Sequence, residues 1–209
     1  MASDTVANNP LSGQVMFYNK PEPLNAARHG AFGLKQLEKP LKFAASTHLV
    51  PIMSSEFAAA STSFPIIFIG DDLSPVAVMS VRRGENEFIK PDGEIDPDYY
   101  IPAFVRRYPF VFANDEQQKR LVLCVDTQAD VVTDKNPDVP FFKDGQPEEV
   151  VQQALTFCQD FETMRQHTSN LVNVLKEKGL LETKTASIAT SQDGTQTQKI
   201  ADYMAVSEE

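Results

Sequence analysis

The stretch PEEVVQQALTFCQDFETMRQHTSNLVNVLKEKG, residues 147–179, decides the fold class. At 100° per residue, Val151, Ala154, Cys158, Phe161, Met164, Thr168, Leu171, Val172 and Leu175 fall on one broad stripe, the pattern of a helix with one face buried. Pro147 suits the first helical position, Glu148 and Glu149 meet the positive end of the helix dipole, and Gly179 stops the helix after Lys176 and Lys178. About 30 residues make it roughly 45 Å long.

Upstream, the period changes to that of strands. Pro65 to Ile69 and Pro75 to Val81 flank Gly70-Asp71-Asp72-Leu73-Ser74, whose turn chemistry predicts a hairpin. Glu87 to Ile89 adds a third strand before the Pro91-Asp92-Gly93 turn. Phe110 to Phe112 and Leu121 to Val125 bracket Asn114-Asp115-Glu116 as a second strand pair, with further short strands from Val15 and over Thr47 to Ile52. Ser54 or Ser55 can cap a brief helix through Glu56 to Ala60, ending near Ser63. Pro102 and Pro109 frame a helix of about two turns. Downstream of the long helix, Asp193-Gly194 predicts a terminal hairpin within Thr183 to Ala205. Strands, long helix and hairpin in this order give an α+β fold with an antiparallel, strand-rich core. The expected division is a flexible tail over 1–13, a domain over 14–182, and a hairpin and tail over 183–209 attached to that domain.

Composition bounds the function. The 209 residues suffice for one domain with a real core, and 42% apolar and 23% charged residues exclude collagen-like repeats, coiled coil and wholesale disorder. With 19 basic against 29 acidic residues the net charge is −10, so the attraction that brings proteins to nucleic acid or anionic bilayers is missing. The longest near-apolar run, Phe64 to Ile69, falls far short of the ~20 residues that cross a bilayer as a helix. MASDTVANNP, residues 1–10, has neither a basic nor an apolar signal region, which predicts a cytoplasmic protein; reaching the cell surface would take a nonstandard export route. Cys124 and Cys158 read as buried free thiols, with a single bridge as the alternative.

Chemical motifs are sparse. Neither a GxxxxGK[ST] or GxGxxG loop nor HExxH or G-x-S-x-G occurs, so no cofactor is expected. Of three histidines, His29 could shuttle protons or bind metal but reads first as a surface or helix-end residue; His48 reads as half-buried in a strand, and His167 as a rim residue of the long helix. Asp134-Lys135-Asn136-Pro137-Asp138 begins like a calcium loop, yet Val139 stands where glycine is needed and Gly145 where a bidentate glutamate belongs. Asp71-Asp72 is explained by its turn, and no metal is expected. Arg106-Arg107, between Phe104 and Tyr108, offers guanidinium forks beside aromatic rings, suited to carboxylate or phosphate; the competing reading, a cation pair at a helix end, carries more weight.

These pieces form an ordered set. FYNKPEPLN (17–25) with His29, FAA (43–45), HLVP (48–51), Glu56-Phe57, FPIIFIG (64–70) and above all YIPAFVRRYPF (100–110) resemble the SapC family of bacterial proteins. Cys124-Val125-Asp126, FFKDG (141–145) and the helix holding Cys158 extend the likeness over residues 15–182. The resemblance implies a soluble bacterial protein tied to surface-layer biology, in a family some of whose members accompany peptide-modifying oxygenases and flavin-dependent halogenases. It assigns no catalytic residue. Typical members continue past the terminal hairpin into another helical segment.

The leading expectation is a noncatalytic binding or accessory protein with a protein or peptide partner, using Tyr100, Arg106, Arg107, Tyr108, His48 and His29. The rival is a peptide-modifying enzyme, or an enzyme's partner, in which His29, His48, Arg106 and Asp126 converge on one pocket. A third reading is a structural component of the surface layer itself.

Overall fold

The computed structural model describes residues 15–115, 120–189 and 197–207. The chain opens with β1 (Pro21–Pro23), α1 (Ala26–His29), β2 (Gly33–Leu34), β3 (Leu49–Pro51) and α2 (Phe57–Ala60). It continues through β4 (Ile66–Ile69), β5 (Ser74–Val78), α3 (Ala103–Arg106), β6 (Phe110–Asp115) and β7 (Arg120–Asp126). The short strands β8 (Val132–Thr133), β9 (Val139–Pro140), β10 (Phe142–Lys143) and β11 (Gln146–Pro147) precede α4 (Glu149–Glu177). A hairpin of β12 (Leu181–Ala189) and β13 (Thr197–Val206) follows. The α+β class, the long helix and the hairpin are as the sequence predicts. Two compact units divide the chain: Met1–Pro40 with Arg107–Phe161, and Leu41–Arg106 with Glu162–Glu209.

In the first unit, β1, β7 and β6 form an antiparallel sheet in that order. Period-two alternation sends neighbouring residues to opposite faces. Phe110 and its partner Val125 join a core with Leu123, Phe141, Val151 and Cys158, while Val111 and its partner Cys124 join Tyr18 and Ala113. β2 lies between β8 and β9. A Cβ at Gly33 would collide with the Val139 carbonyl and the Pro140 backbone, so only glycine lets these strands approach. Both cysteines are free and buried.

In the second unit the sheet order is β12-β13-β4-β5-β3, all antiparallel. Val50, Ile52, Phe64, Phe68, Ala77, Met79 and Val172 are buried. The hairpin pairs from Leu181↔Val206 to Ala189↔Thr197, with Ile200 as an extra residue between Ala186↔Ala201 and Ser187↔Lys199. At the end of α4, Gly179 takes a φ of 66°, Leu180 N–H donates to the Leu175 carbonyl and Gly179 N–H to that of Lys176. This paired closure needs the left-handed residue that glycine supplies.

Several local expectations are corrected. Glu87 to Ile89 is not a strand: Asn86 Oδ1 takes the N–H groups of Phe88 (2.9 Å) and Ile89 (2.8 Å), leaving an isolated bridge, Ile89↔Ile95. Pro147 pairs with Phe142 in β11 instead of opening the helix, and the Glu148 carbonyl receives the first helical N–H groups, from Val151 and Gln152. Around Val15 the chain turns, with Phe17 at a φ of 79°, and extends only at Pro21. Neither serine caps α2. Ser54–Glu56 is a 3-10 turn, and Glu56 itself reaches back to Met53 N–H. The helix between Pro102 and Pro109 is a single turn, α3. On the stripe of α4, Met164 and Leu171 are exposed. The 1–13 tail, Glu116 and the Asp193-Gly194 turn lie outside the described residues.

Candidate functional site

The segment that carries most of the expected site residues is pinned by Glu56. The 3-10 turn after β3 buries this side chain to 5% exposure. Its Oε2 accepts from Met53 N–H at 2.9 Å, and its Oε1 accepts from Ala103 N–H at 2.7 Å and from the Tyr100 hydroxyl at 2.8 Å. The carboxylate therefore satisfies an otherwise orphan donor at the start of α3. Tyr100 N–H donates to Ser63 Oγ at 3.0 Å. Burial, then the adjacent Glu56 carboxylate, raises the Tyr100 hydroxyl above its ordinary pKa.

Arg106 crosses this node toward solvent. Its Nε donates to the Ile101 carbonyl at 2.9 Å, its Nη2 contacts the Tyr100 hydroxyl at 3.3 Å, and Glu56 Oε1 lies 3.9 Å away. The guanidinium carbon is 5.9 Å from the Tyr100 ring centroid, within cation–π range. The side chain nevertheless remains 45% exposed. Next to Tyr100 in sequence, the exposed ring of Tyr99 packs edge-on against Phe88 at 5.0 Å, and Phe88 against Phe64 at 4.9 Å. The arrangement presents an oriented cation on an aromatic support.

Arg107 and Tyr108 belong to the first unit and do different work. The Arg107 guanidinium lies 4.5 Å from the Phe161 ring centroid and 5.9 Å from that of Tyr18. Tyr108 packs edge-on against Tyr18 at 5.3 Å, and its hydroxyl lies 3.4 Å from Asp126 Oδ2. Asp126, fully buried at the end of β7, accepts from the backbone N–H groups of Asn19 (2.8 Å), Lys20 (2.9 Å) and Gln128 (3.0 Å). The Tyr18 hydroxyl donates to the Phe110 carbonyl at 2.6 Å. Burial raises both tyrosine hydroxyls, while Arg107 pulls that of Tyr18 back down. Burial also pushes the thiols of Cys124 and Cys158 up to about 11 each, so thiolate is scarce near neutral pH.

The histidines have other partners. Asn25 caps α1 through Oδ1, accepting Arg28 N–H at 3.0 Å, while its own N–H donates to His29 Nδ1 at 3.2 Å. The imidazole proton therefore sits on Nε2, 3.7 Å from Glu22 Oε2. Glu22 is also held by Lys20 Nζ at 2.7 Å and Arg28 Nη2 at 2.6 Å. Its hydrogen bond to Lys20 lowers the Glu22 pKa, and burial lowers that of His29 against the pull of Glu22. The His48 carbonyl accepts from Met79 and Ser80; burial, then Arg83, lowers its imidazole. His167 is exposed.

Of the expected residues, Tyr100 and Arg106 thus meet at one node, Tyr108 and Arg107 share Tyr18, and His29 and His48 each keep separate company. Sequence reasoning missed Glu56 as the organiser of the first node and Glu22 as the partner of His29. The one signal for Glu56 was a lone acid between apolar segments. The acidic loops hold themselves together: Asp138 Oδ2 accepts Gln36 N–H at 2.8 Å, and Asp72 Oδ2 accepts the Ser74 hydroxyl at 2.6 Å. Among the described residues no cluster of three or more His, Cys, Asp or Glu has a metal-binding arrangement, and no helix is long and apolar enough to cross a membrane. A cleft of about 470 Å³ is lined by Lys42, Ser46, Glu85, Asn86 and Glu87 among others, none of them an expected site residue.

No curated protein sequence and no solved structure matches the chain. The sequence model of the SapC family matches residues 24–209, which takes in the terminal hairpin beyond the motifs that first suggested it. Nearly the whole chain is covered by that one match, and the protein belongs to the SapC family.

Proposed function

We propose that this SapC-family member is a noncatalytic binding or accessory protein that recognises an acidic protein or peptide segment in bacterial surface-layer or secreted-peptide biology. The reading rests on Arg106. Its guanidinium is held in place by the Ile101 carbonyl, Tyr100 and Glu56 while remaining half-exposed. A donor already ordered in the free protein loses little conformational entropy on binding, and the guanidinium fork matches a carboxylate in a bidentate manner. Asp126, one of the four residues that the enzymatic reading would bring into one pocket, has both carboxylate oxygens taken by backbone donors. That occupancy favours binding over the alternative of a peptide-modifying enzyme.

The test is an array of acidic and neutral peptides probed with the purified protein and with Arg106→Ala. Binding of acidic peptides that falls at least tenfold in R106A, with an unchanged circular dichroism spectrum, is expected. Equal binding by both proteins, or turnover of a peptide by the wild type, would overturn the reading.

A further inference from the structure

The five-stranded sheet of the second unit ends differently at its two edges. β3 is three residues long and finishes on Pro51, the short, proline-bearing edge by which proteins discourage strand addition. β12 is nine residues long, contains no proline, and lies at the opposite edge. The extra residue of the hairpin, Ile200, is in β13, so β12 itself runs regular. β13 in turn pairs with β4 at Met204↔Phe68, which leaves most of the hairpin a two-stranded ribbon, an arrangement that is marginal in water by itself. Ile188 and Ile200 are 46% and 39% exposed on it.

The charges on β12 specify what fits. Its two charged residues, Glu182 and Lys184, lie two apart and hence on the same face, with their side chains 3.1 Å apart. A lone lysine on an edge repels a copy of itself, but Glu182 cancels this one. If a second β12 runs antiparallel about a two-fold axis at Thr183, Glu182 stands opposite Lys184 of the copy and Lys184 opposite its Glu182. Directly opposed side chains have Cβ atoms about 5 Å apart, and opposite charges there attract. Centring the pair on Thr185 instead would set Glu182 against Ile188 and Lys184 against Ala186, with no charge paired. We propose that β12 is a self-association edge: two copies of the chain join their sheets through antiparallel β12 strands centred on Thr183, the isologous contact of a two-fold dimer.

Sedimentation across a wide concentration range, with hydrogen exchange at the low and high ends, tests this on the full chain. A concentration-dependent dimer is expected, with amides in Leu181–Thr185 better protected at high concentration. Lys184→Glu turns two attractions into two repulsions and should raise the dimer dissociation constant about tenfold. The double variant Glu182→Lys/Lys184→Glu restores the complementarity with signs exchanged and should return close to the wild-type constant. All three proteins should share one circular dichroism spectrum, since both side chains are on the surface. A monomer throughout, including one that takes up another chain's strand at β12, would overturn the proposal. So would a dimer that leaves those amides unprotected or responds equally to the single and double variants.

Discussion

Asp126 and Glu56 are both buried carboxylates, one in each unit, yet they serve different company. Asp126 spends its oxygens on the main chain: three backbone N–H groups, from Asn19, Lys20 and Gln128, converge on it, and the Tyr108 hydroxyl stands back at 3.4 Å. Glu56 divides itself between two backbone donors and two side chains, Tyr100 and Arg106, the second of which reaches solvent. A carboxylate served only by main-chain donors fastens loops. One served partly by side chains also fixes what those side chains present. Burial alone therefore does not separate a structural acid from one that supports recognition; the identity of its partners does.

The largest expected effect comes from breaking the first of these nodes. Asp126→Ala removes the buried charged acceptor of three backbone N–H groups, and should cost about 3–5 kcal/mol in urea denaturation, because three charge-assisted hydrogen bonds are lost together. Glu56→Ala strands two and releases two side chains, for about 2–4 kcal/mol, and should also abolish the binding assigned to Arg106. A loss under 1 kcal/mol in either variant would mean that water replaces the carboxylate and that the node is not a fastener.

The comparison sharpens with the two tyrosines. Removing the Tyr100 hydroxyl deletes a 2.8 Å bond to a carboxylate, so Tyr100→Phe should lose about 1–2 kcal/mol. The 3.4 Å contact of Tyr108 is near the limit of a hydrogen bond, and Tyr108→Phe should lose no more than about 0.5 kcal/mol. Thermal unfolding of the pair reads the difference directly. Equal losses would erase the distinction drawn between the nodes.

The sequence carried the long helix well, because a 3.6-residue period and a terminal glycine act within the segment itself, as the closure at Gly179 bears out. The hairpin of β4 and β5 was legible for the same local reason. Glu87 to Ile89 was not, since the Asn86 side chain, and no neighbouring strand, claims two of its N–H groups. Among site residues, Tyr100 and Arg106 were each legible as candidates but not as partners: the sequence reading set Arg106 beside Arg107, and their contact across six residues appears only in the fold. Glu56, 44 and 47 residues from Tyr100 and Ala103, enters only through tertiary packing. Likewise nothing local to Asp126 announces Asn19, 107 positions away.

Glu22 completes the comparison as a carboxylate held by side chains, Lys20 and Arg28 with His29 alongside, and it carries the smallest effect, one read through pH. Burial holds the folded-state pKa of His29 below the ordinary histidine value near 6.5. On acidification the unfolded chain then takes up a proton before the folded one does, so stability present above about pH 6.5 declines as pH falls toward the depressed value. Glu22, also depressed, acts in the same direction but only below the ordinary glutamate value near 4.3, which keeps the two windows apart. His48 is lowered as well, by burial and Arg83, and adds to the upper window. The wild type should thus be less stable at pH 5.5 than at pH 7.5, by less than the Tyr100→Phe loss. His29→Gln should remove part of that difference and His29→Gln/His48→Gln most of it. A double variant that retains the full wild-type difference would show that neither imidazole is disfavoured as a cation by the fold, and would leave Glu22 paired with its lysine and arginine alone.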